Sequence, residues 1–388
     1  MVFKRMVLTS LCASLLASGA FAQATLAEIY PKEARSMGMG GTFRSLATGY
    51  QAFFGNPAGF SGPATLTIAD AALWGYFKPN PSTIRDLTTI AQGATPPADA
   101  KSQLGDIIVK NNGLGAGASL GFGWSGKGFG LGLTMISDSL AAGTTYDDAI
   151  ALVRNQANAI VGVALPLDLG PFSINLGIDM RAFYRLDSGT AWPFATLASA
   201  FIDGQGFTAE IGDLALSGGY GVAVDSGAIL ALGPFSAGVM IRDYGYEFTM
   251  SDTTVGNVTD TFELPAGGGD DTAYRLVPNY AVGMGLNFKT SKAMGFSFSV
   301  ETDNPRAFVE LAYTDIGASL ELLHSGAQIK LFNVLALRAG YNKGFLSFGA
   351  GLDLALIEID AAVFSEPLAE LSDGPGRSGL ALQAAIRF

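Results

Sequence analysis

Hydrophobic and polar residues alternate with a period of two along most of the chain. Between residues 172 and 184 every second residue is apolar, and the residues between them are mostly polar or small, including Asp179 and Arg181. The same alternation recurs at 278–289 and in the last ten residues, which end in Phe388. Successive side chains of a strand point to opposite faces. The pattern therefore predicts strands with one apolar face and one polar face.

About fourteen strands follow from this alternation, and short and long connections join them in turn. We predict strands at 64–77, 114–125, 128–138, 157–168, 171–185, 210–225, 228–242, 274–289, 293–303, 318–331, 334–342, 345–354, 356–364 and 379–388. Short turns are predicted at Ser125-Gly126-Lys127, Gly170, Ser226-Gly227, Thr290-Ser291-Lys292 and Phe332-Asn333, and long connections at 78–113, 139–156, 186–209, 243–273 and 304–317. Bacterial transmembrane barrels have an even number of strands, short periplasmic turns and long extracellular loops. The sequence therefore predicts an all-β fold, a transmembrane antiparallel β-barrel with both termini on the periplasmic side.

The composition is unusual for a soluble enzyme and suits a membrane barrel. Hydrophobic residues make up 49% of the chain, charged residues only 15%, and glycine occurs 51 times. After the N-terminal 22 residues, no stretch approaches the length of about 20 apolar residues that a spanning helix needs. The strands of a soluble β-sandwich also alternate between apolar and polar residues. The regular alternation of short and long connections is therefore what favours a membrane barrel. Closing the sheet removes exposed strand edges and satisfies the backbone groups within lipid.

The first 22 residues have the pattern of a cleaved signal peptide. Two basic residues precede an apolar run from Met6 to Ala17, and Ala20-Phe21-Ala22 offers the small residues that signal peptidase requires. We predict cleavage before Gln23. The only cysteine, Cys12, lies in this segment, so the mature chain has no disulfide or thiolate site. Cleavage leaves 21 of the 23 basic residues against 34 acidic ones, which argues against nucleic acid as a partner.

Residues 23–63 do not alternate as the later chain does. The middle of this segment can form a short helix, which glycine and proline then end. Because it precedes the first strand, such a segment can fold into the lumen. We therefore predict a signal peptide at 1–22, an N-terminal hatch or plug at 23–63 and an outer-membrane β-barrel at 64–388.

Glycine is frequent at the inward positions of the predicted strands 114–125 and 128–138. Gly128, Gly130 and Gly132 belong to this set. Glycine at such positions gives curvature and close strand packing. It also leaves space for a plug or permits a local kink, and the sequence alone leaves these interpretations open.

Three motifs carry a resemblance to a known family. They are Ala34-Arg35-Ser36-Met37-Gly38-Met39-Gly40-Gly41, Asn56-Pro57-Ala58 and Leu337-Arg338-Ala339-Gly340-Tyr341. On these motifs the chain resembles the FadL superfamily of outer-membrane long-chain fatty-acid transporters, which includes spirochaetal FadL-like and PorV-like barrels. The strand count is similar as well. Members that share the N-terminal motif do not all transport fatty acids.

This resemblance implies a fourteen-stranded barrel whose lumen is blocked by an N-terminal hatch. It also implies that Asn56-Pro57-Ala58 packs against an inward kink of the third strand, here 128–138. Gly128, Gly130 and Gly132 would suit such a kink, although no proline marks a break. A hydrophobic ligand would then enter from the outer face and leave through a side opening.

Apolar residues in a long loop are candidate ligand contacts. Trp192, Phe194, Leu197 and Phe201 lie in the third long connection, where a groove could receive acyl chains. The alternative is a small loop core or the aromatic girdle of the barrel. In the second long connection, 139–156 contains three further apolar residues at helical spacing.

Inward arginines are candidate sites for a carboxylate head group. A guanidinium matches the two oxygens of a carboxylate. Arg181, Arg185 and Arg338 occupy the polar alternate positions of their predicted strands and are therefore expected to face the lumen. The alternative is that these charges pair across the lumen and anchor the hatch. The sequence does not single out one of them.

We expect no catalytic site, because the single histidine, His324, cannot be joined to a serine and a carboxylate by spacing alone. No metal-ligand cluster or phosphate loop is evident, and no cofactor is expected. The sequence thus favours passive transport of hydrophobic compounds, with fatty acids as the leading substrate. The partners would be hydrophobic small molecules and outer-membrane lipids, and we expect a monomer. The rivals are a PorV-like scaffold in protein secretion and a structural porin or adhesin.

Overall fold

A computed structural model describes residues 24–42, 44–202, 211–267, 272–289, 293–368 and 376–388. The predicted signal peptide lies outside the described residues. In chain order the strands are β1 (Ala24–Leu26), β2 (Thr65–Tyr76), β3 (Leu114–Gly126), β4 (Phe129–Ala142), β5 (Ile150–Asp168), β6 (Ser173–Ser188), β7 (Trp192–Pro193), β8 (Ala215–Leu232), β9 (Phe235–Gly245), β10 (Phe248–Thr254), β11 (Thr272–Leu276), β12 (Asn279–Lys289), β13 (Met294–Thr302), β14 (His324–Leu331), β15 (Leu335–Asn342), β16 (Phe345–Leu354), β17 (Ile357–Glu366) and β18 (Arg377–Arg387).

Helices lie in the N-terminal segment and in the long connections. They are α1 (Ala34–Gly38), α2 (Pro81–Ala91), α3 (Pro97–Asn111), α4 (Phe194–Ile202), α5 (Val255–Asp260), α6 (Pro305–Thr314) and α7 (Ile316–Leu320), with 3₁₀ helices at Gly49–Phe54 and Pro57–Ser61. None of the helices in the described ranges is long and apolar enough to cross a membrane.

Fourteen of the described strands close into an antiparallel barrel, as the sequence predicts. All but the short strands β1, β7, β10 and β11 belong to it, and each pairs with its neighbour around the ring. The last strand, β18, closes the ring on β2, with Gly379 opposite Tyr76. Closure leaves the wall without a free edge, which is what a sheet in lipid requires.

The two faces of the wall are reversed relative to a soluble protein. On β6, Met180 is 51% exposed on the outer surface, whereas the neighbouring Asp179 is 2% exposed and faces the lumen. Leu131 and Val161 on nearby strands are exposed in the same way. An apolar outer surface around a polar interior is typical of a transmembrane barrel of the outer-membrane type, so this fold class is confirmed.

Some of the predicted connections differ from the structure. Ser226-Gly227 is not a turn, because β8 continues through it and turns at Gly233-Pro234. The predicted turn Thr290-Ser291-Lys292 lies outside the described residues. The second long connection shrinks to 143–149, because both flanking strands are longer than predicted.

The two ends of the described chain lie at opposite ends of the barrel. Leu66 and Phe388 exchange backbone hydrogen bonds of 2.9 Å at the end with the short turns. Ala24–Leu26 instead pairs in parallel with Tyr274–Leu276, which belongs to a long connection. The expectation that both ends share one side is therefore wrong for Ala24. The N-terminal segment descends through the lumen before β2 begins.

Candidate functional site

The N-terminal segment, residues 24–42 and 44–63, fills the lumen, and we call it the hatch. It runs from the paired strand β1 at the long-connection end, through α1, to the 3₁₀ helix Pro57–Ser61 near the short turns. Phe53 and Phe60 are fully buried, and their ring centroids are 5.4 Å apart. The centre of the hatch is therefore apolar, and it packs against buried apolar residues of the wall such as Ile136 and Ile160.

Inward glycines of the wall make room for this hatch. A Cβ added at Gly130 would lie 2.6 Å from the Phe60 ring, and one added at Gly132 would lie 2.8 Å from the Phe53 ring. These distances are shorter than carbon atoms tolerate. Gly128 ends the preceding turn with φ +86° and donates its N–H to the Phe60 carbonyl at 2.8 Å. The three predicted glycines thus all contact the hatch.

The third barrel strand, β4, shows no kink. It pairs with β3 and with β5 along its whole length, from Phe129 to Ala142, without a register shift. The Asn56-Pro57-Ala58 turn lies elsewhere, because a Cβ at Gly177 of β6 would sit 2.2 Å from the Ala58 nitrogen. The expected kink of residues 128–138, and the packing of this turn against it, are therefore wrong. No proline or unpaired residue breaks β4, so its ladder stays intact.

Asn56 ties the hatch to the wall. Its Oδ1 accepts the Ala58 N–H at 3.0 Å and so caps the 3₁₀ helix. Its Nδ2 donates to the carbonyls of Ser45 at 2.8 Å, Ala228 at 3.1 Å and Val239 at 3.0 Å. The last two belong to β8 and β9, so one buried amide joins the hatch to two barrel strands.

We expect Asn56→Ala to weaken hatch docking by about 1–3 kcal/mol, because buried carbonyls lose their donor. Hydrogen exchange of the hatch amides in the folded barrel would measure this loss. Asn80→Ala is the matched control, since Asn80 caps α2 through a comparable 2.9 Å bond but lies in a long connection. Equal effects of the two variants on hatch exchange would contradict the role of Asn56.

A buried ion cluster fixes the start of the hatch. Arg242 Nε lies 2.8 Å from Glu28 Oε1, and its Nη1 lies 3.2 Å from Asp225 Oδ2. Arg181 pairs with Asp243 and lies 3.3 Å from Glu28. Burial alone would raise the pKa of Glu28, but the charges of Arg242 and Arg181 lower it to about 2. Glu28 is therefore held as a carboxylate between two arginines.

The other two arginine candidates are also paired. Arg185 Nε lies 2.6 Å from Asp187, and its Nη1 donates to Gln156 Oε1 at 3.1 Å. Arg338 Nη1 lies 2.5 Å from Asp360. Both side chains are buried. Both arginines thus pair with nearby residues of the wall, and a head group would have to displace an internal partner.

The pKa of Glu33, in the same segment, is shifted in the opposite direction to that of Glu28. Glu33 accepts hydrogen bonds from Gln51 Nε2 at 3.1 Å and Ser36 Oγ at 3.4 Å. Burial, followed by the charge of Asp70, raises the pKa of Glu33 to about 7. Its stabilising contribution is therefore complete below its ordinary pKa of 4.5 and is lost as the pH rises from there through 7.

An apolar cluster lies in the lumen beside the start of the hatch. Its buried members are Phe183, Ala223, Phe248, Met250 and Leu276, against which Leu26 and Tyr274 pack. The rings of Phe183 and Phe248 meet edge to face with centroids 5.1 Å apart. Leu26 of β1 therefore packs on an apolar cluster at the start of the hatch.

The loop aromatics form a core instead of an open groove. Trp192 is buried and donates its Nε1 hydrogen to the Ala215 carbonyl at 2.8 Å. Trp192 forms a buried cluster with Ile211, Leu216 and Val255, and Leu197 packs against it. The ring of Phe194 meets that of Tyr146 with centroids 5.7 Å apart. The side chain of Phe201 lies outside the described residues. Trp192 therefore belongs to a small core of the loop, and its ring is not available to a ligand from solvent.

Comparison with known proteins gives fold-level likenesses only. No family model and no curated protein matches the chain. Among solved structures, the toluene transporter TodX of Pseudomonas putida is 12% identical with a TM-score of 0.43, and a FadL homologue of Pseudomonas aeruginosa is 14% identical with a TM-score of 0.40; each match covers 94% of this chain and 99% of the other. Outer membrane phospholipase A of Escherichia coli matches at 9% identity and a TM-score of 0.29, covering 82% of this chain and 95% of that one. Similarities of this size do not assign a cargo or an activity.

Proposed function

We propose that this protein is a plugged outer-membrane channel for the passive passage of hydrophobic compounds, gated by its N-terminal hatch. The observation that carries the proposal is the lumenal apolar cluster around Phe183 and Phe248, which Leu26 of the hatch covers. An apolar surface of this kind inside the lumen has no role in a water-filled porin. It is suited to an apolar ligand that takes the place of Leu26.

The energies of such an exchange are balanced. Burying a leucine side chain contributes about 1.5–3 kcal/mol, and a hydrophobic ligand of similar or larger area recovers that amount when it displaces Leu26. Displacement would free β1, which is three residues long. Glu28 remains held by Arg242 and Arg181, so the first movement is confined to the residues before it.

Long-chain fatty acids are the leading substrates on the strength of the N-terminal motifs. Arg181, Arg185 and Arg338 are the candidate partners of the carboxylate, and Phe194 and Leu197 of α4 are the candidate contacts of the acyl chain in a long connection. Asn56, Pro57 and Ala58, together with Gly128, Gly130 and Gly132, hold the hatch that has to move. A shift of the hatch would open the path past these glycines.

Uptake into lipid vesicles tests the proposal. Vesicles containing the folded barrel should take up a long-chain fatty acid faster than empty vesicles. Ala223→Trp fills the apolar cluster, and we expect it to reduce uptake at least about tenfold, because overpacking excludes the ligand. Ala159→Trp is the control, since Ala159 is exposed on the outer face of β5.

The outcomes separate the proposal from its rivals. Uptake equal to that of empty vesicles, for both a fatty acid and an aromatic hydrocarbon, would exclude a transport role. Uptake of the hydrocarbon alone would retain the channel and remove fatty acids as its cargo. The difference in gel mobility between unheated and heated samples shows whether each variant has folded. A loss of uptake is then not confused with a loss of the barrel.

A further inference from the structure

The Gly40-Gly41 turn of the hatch is clamped by the wall. Both glycines have positive φ values, +71° and +77°, and a Cβ on Gly40 would lie 2.5 Å from the Tyr341 carbonyl oxygen. The Gly40 N–H donates to Ser347 Oγ at 3.1 Å. The turn is therefore shaped for glycine and fitted between strands of the wall, and its fit depends on the groups around it.

The only histidine of the sequence, His324, contacts this turn from the wall. His324 is buried at the start of β14, and its Nδ1 is 3.0 Å from the Gly40 carbonyl oxygen. On the other side of the ring, Nε2 is 3.5 Å from Asp303 Oδ2. A Cβ on Gly41 would lie 3.2 Å from Nδ1, so the ring packs against the glycine backbone. Nothing in the proposed transport uses this ring.

Both ring nitrogens of His324 thus face an acceptor. A neutral imidazole has one N–H, whereas an imidazolium has two. With its hydrogen on Nδ1, a neutral ring would point a lone pair at Asp303, and with its hydrogen on Nε2 it would point a lone pair at the Gly40 carbonyl. Only the protonated ring can donate to the hatch and face the carboxylate at the same time.

Two acidic residues lie beside His324. Asp303 Oδ2 lies 2.7 Å from Lys343 Nζ, and Glu301, opposite His324 on β13, accepts the backbone N–H of Arg44 at 3.2 Å. Burial alone would raise the pKa of Asp303, but the hydrogen bond of His324 and the charges of Lys343 and Arg44 bring it well below its ordinary value. Asp303 is therefore a carboxylate at all physiological pH values, and the proton on the ring is the variable charge.

We propose that His324 is a proton-dependent latch on the hatch, closed when the ring is protonated and weakened when the ring is neutral. In the closed state it donates to the Gly40 carbonyl and pairs with Asp303. A neutral imidazole keeps only one of these two donors, so acid conditions hold the turn and alkaline conditions loosen it. The latch concerns the docking of the hatch and does not depend on what the barrel carries.

Hydrogen exchange of the hatch tests the latch. The full chain, folded in lipid nanodiscs, is compared at pH 5.5 and pH 8.5, with rates corrected for the intrinsic pH dependence of exchange. Because Glu33 also weakens docking as the pH rises, every variant carries Glu33→Gln. We expect the protection of residues 38–42 to fall about tenfold between the two pH values, as loss of one hydrogen bond from a charged donor implies.

Two variants should remove this pH dependence. His324→Gln cannot gain a proton, so its protection should be the same at both pH values. Asp303→Asn gives Nε2 a neutral amide partner, so the neutral ring can keep its hydrogen on Nδ1 for Gly40. The second variant decides the question if the first does not fold.

Ser347→Ala is the matched control. It removes the bond to the Gly40 N–H without removing a titrating group, so protection should fall by the same factor at both pH values and the pH dependence should remain. The latch is refuted if the parent chain shows no pH dependence, or if His324→Gln and Asp303→Asn retain it. Neither result would alter the uptake assay, so the latch and the transport role fail separately.

Discussion

Deleting residues 24–60 is expected to convert a closed barrel into an open pore. The hatch fills the lumen and its Phe53 and Phe60 occupy the space beside Gly132 and Gly130. Without it, a fourteen-stranded ring with an inward polar face encloses water. Steady conductance across a planar bilayer should rise at least about tenfold over that of the full chain, because barrels of this width enclose space that their own side chains do not fill.

The control for this deletion removes a helix that lies outside the lumen. Deleting α2, whose residues are not buried, should leave the conductance unchanged. The ion pairs of the lumen lose Glu28 in the hatch deletion, so a second variant with Glu28→Gln in the full chain shows whether this lost charge alone changes the current. If the deleted barrel folds and its conductance does not increase, the N-terminal segment is not a plug.

The barrel wall is largely predictable from the sequence, because each strand shows its two-residue alternation of apolar and polar side chains within a short stretch of chain. The strand predicted at 345–354 coincides with β16, and the turn at Phe332-Asn333 lies between β14 and β15. The predicted turn at Ser226-Gly227 fails for a physical reason. A Cβ on Gly227 would lie 2.1 Å from Asn56 Oδ1, so this glycine serves a contact with the hatch and does not mark a turn.

The interior of the barrel could not be predicted in the same way. Asn56 bonds to Ala228 and Val239, which are more than 170 residues away in sequence, and no periodicity encodes such contacts. One part of the interior did leave a signal. Phe183 occupies an inward position of β6 that otherwise carries polar or small residues, and this exception marks the apolar cluster. An aromatic residue among the alternate positions of a barrel strand that are otherwise polar or small is therefore a sequence feature worth testing.

Arg242→Met is expected to release the start of the hatch while leaving the wall intact. The Arg242 side chain is 1% exposed, pairs with Glu28 and Asp225, and donates to the Phe53 carbonyl at 3.0 Å. Removing one partner of a buried ion pair costs about 3–5 kcal/mol, because the other charge stays buried without compensation. Amides of residues 24–30 should then exchange about a hundredfold or more faster, since each 1.4 kcal/mol is a factor of ten.

The matched control and a rescue variant decide whether this loss comes from the buried charge. Arg306→Met removes an arginine from an exposed pair with Glu310, whose side chains are 89% and 63% exposed, and such pairs contribute less than about 1 kcal/mol. Adding Glu28→Gln to Arg242→Met removes the uncompensated carboxylate and should recover part of the protection. Because the pKa of Glu28 is lowered to about 2, its contribution in the parent chain is present above its ordinary pKa of 4.5 and is lost as the pH falls towards 2. Exchange in Arg242→Met within threefold of the parent would show that Arg181 alone holds the hatch.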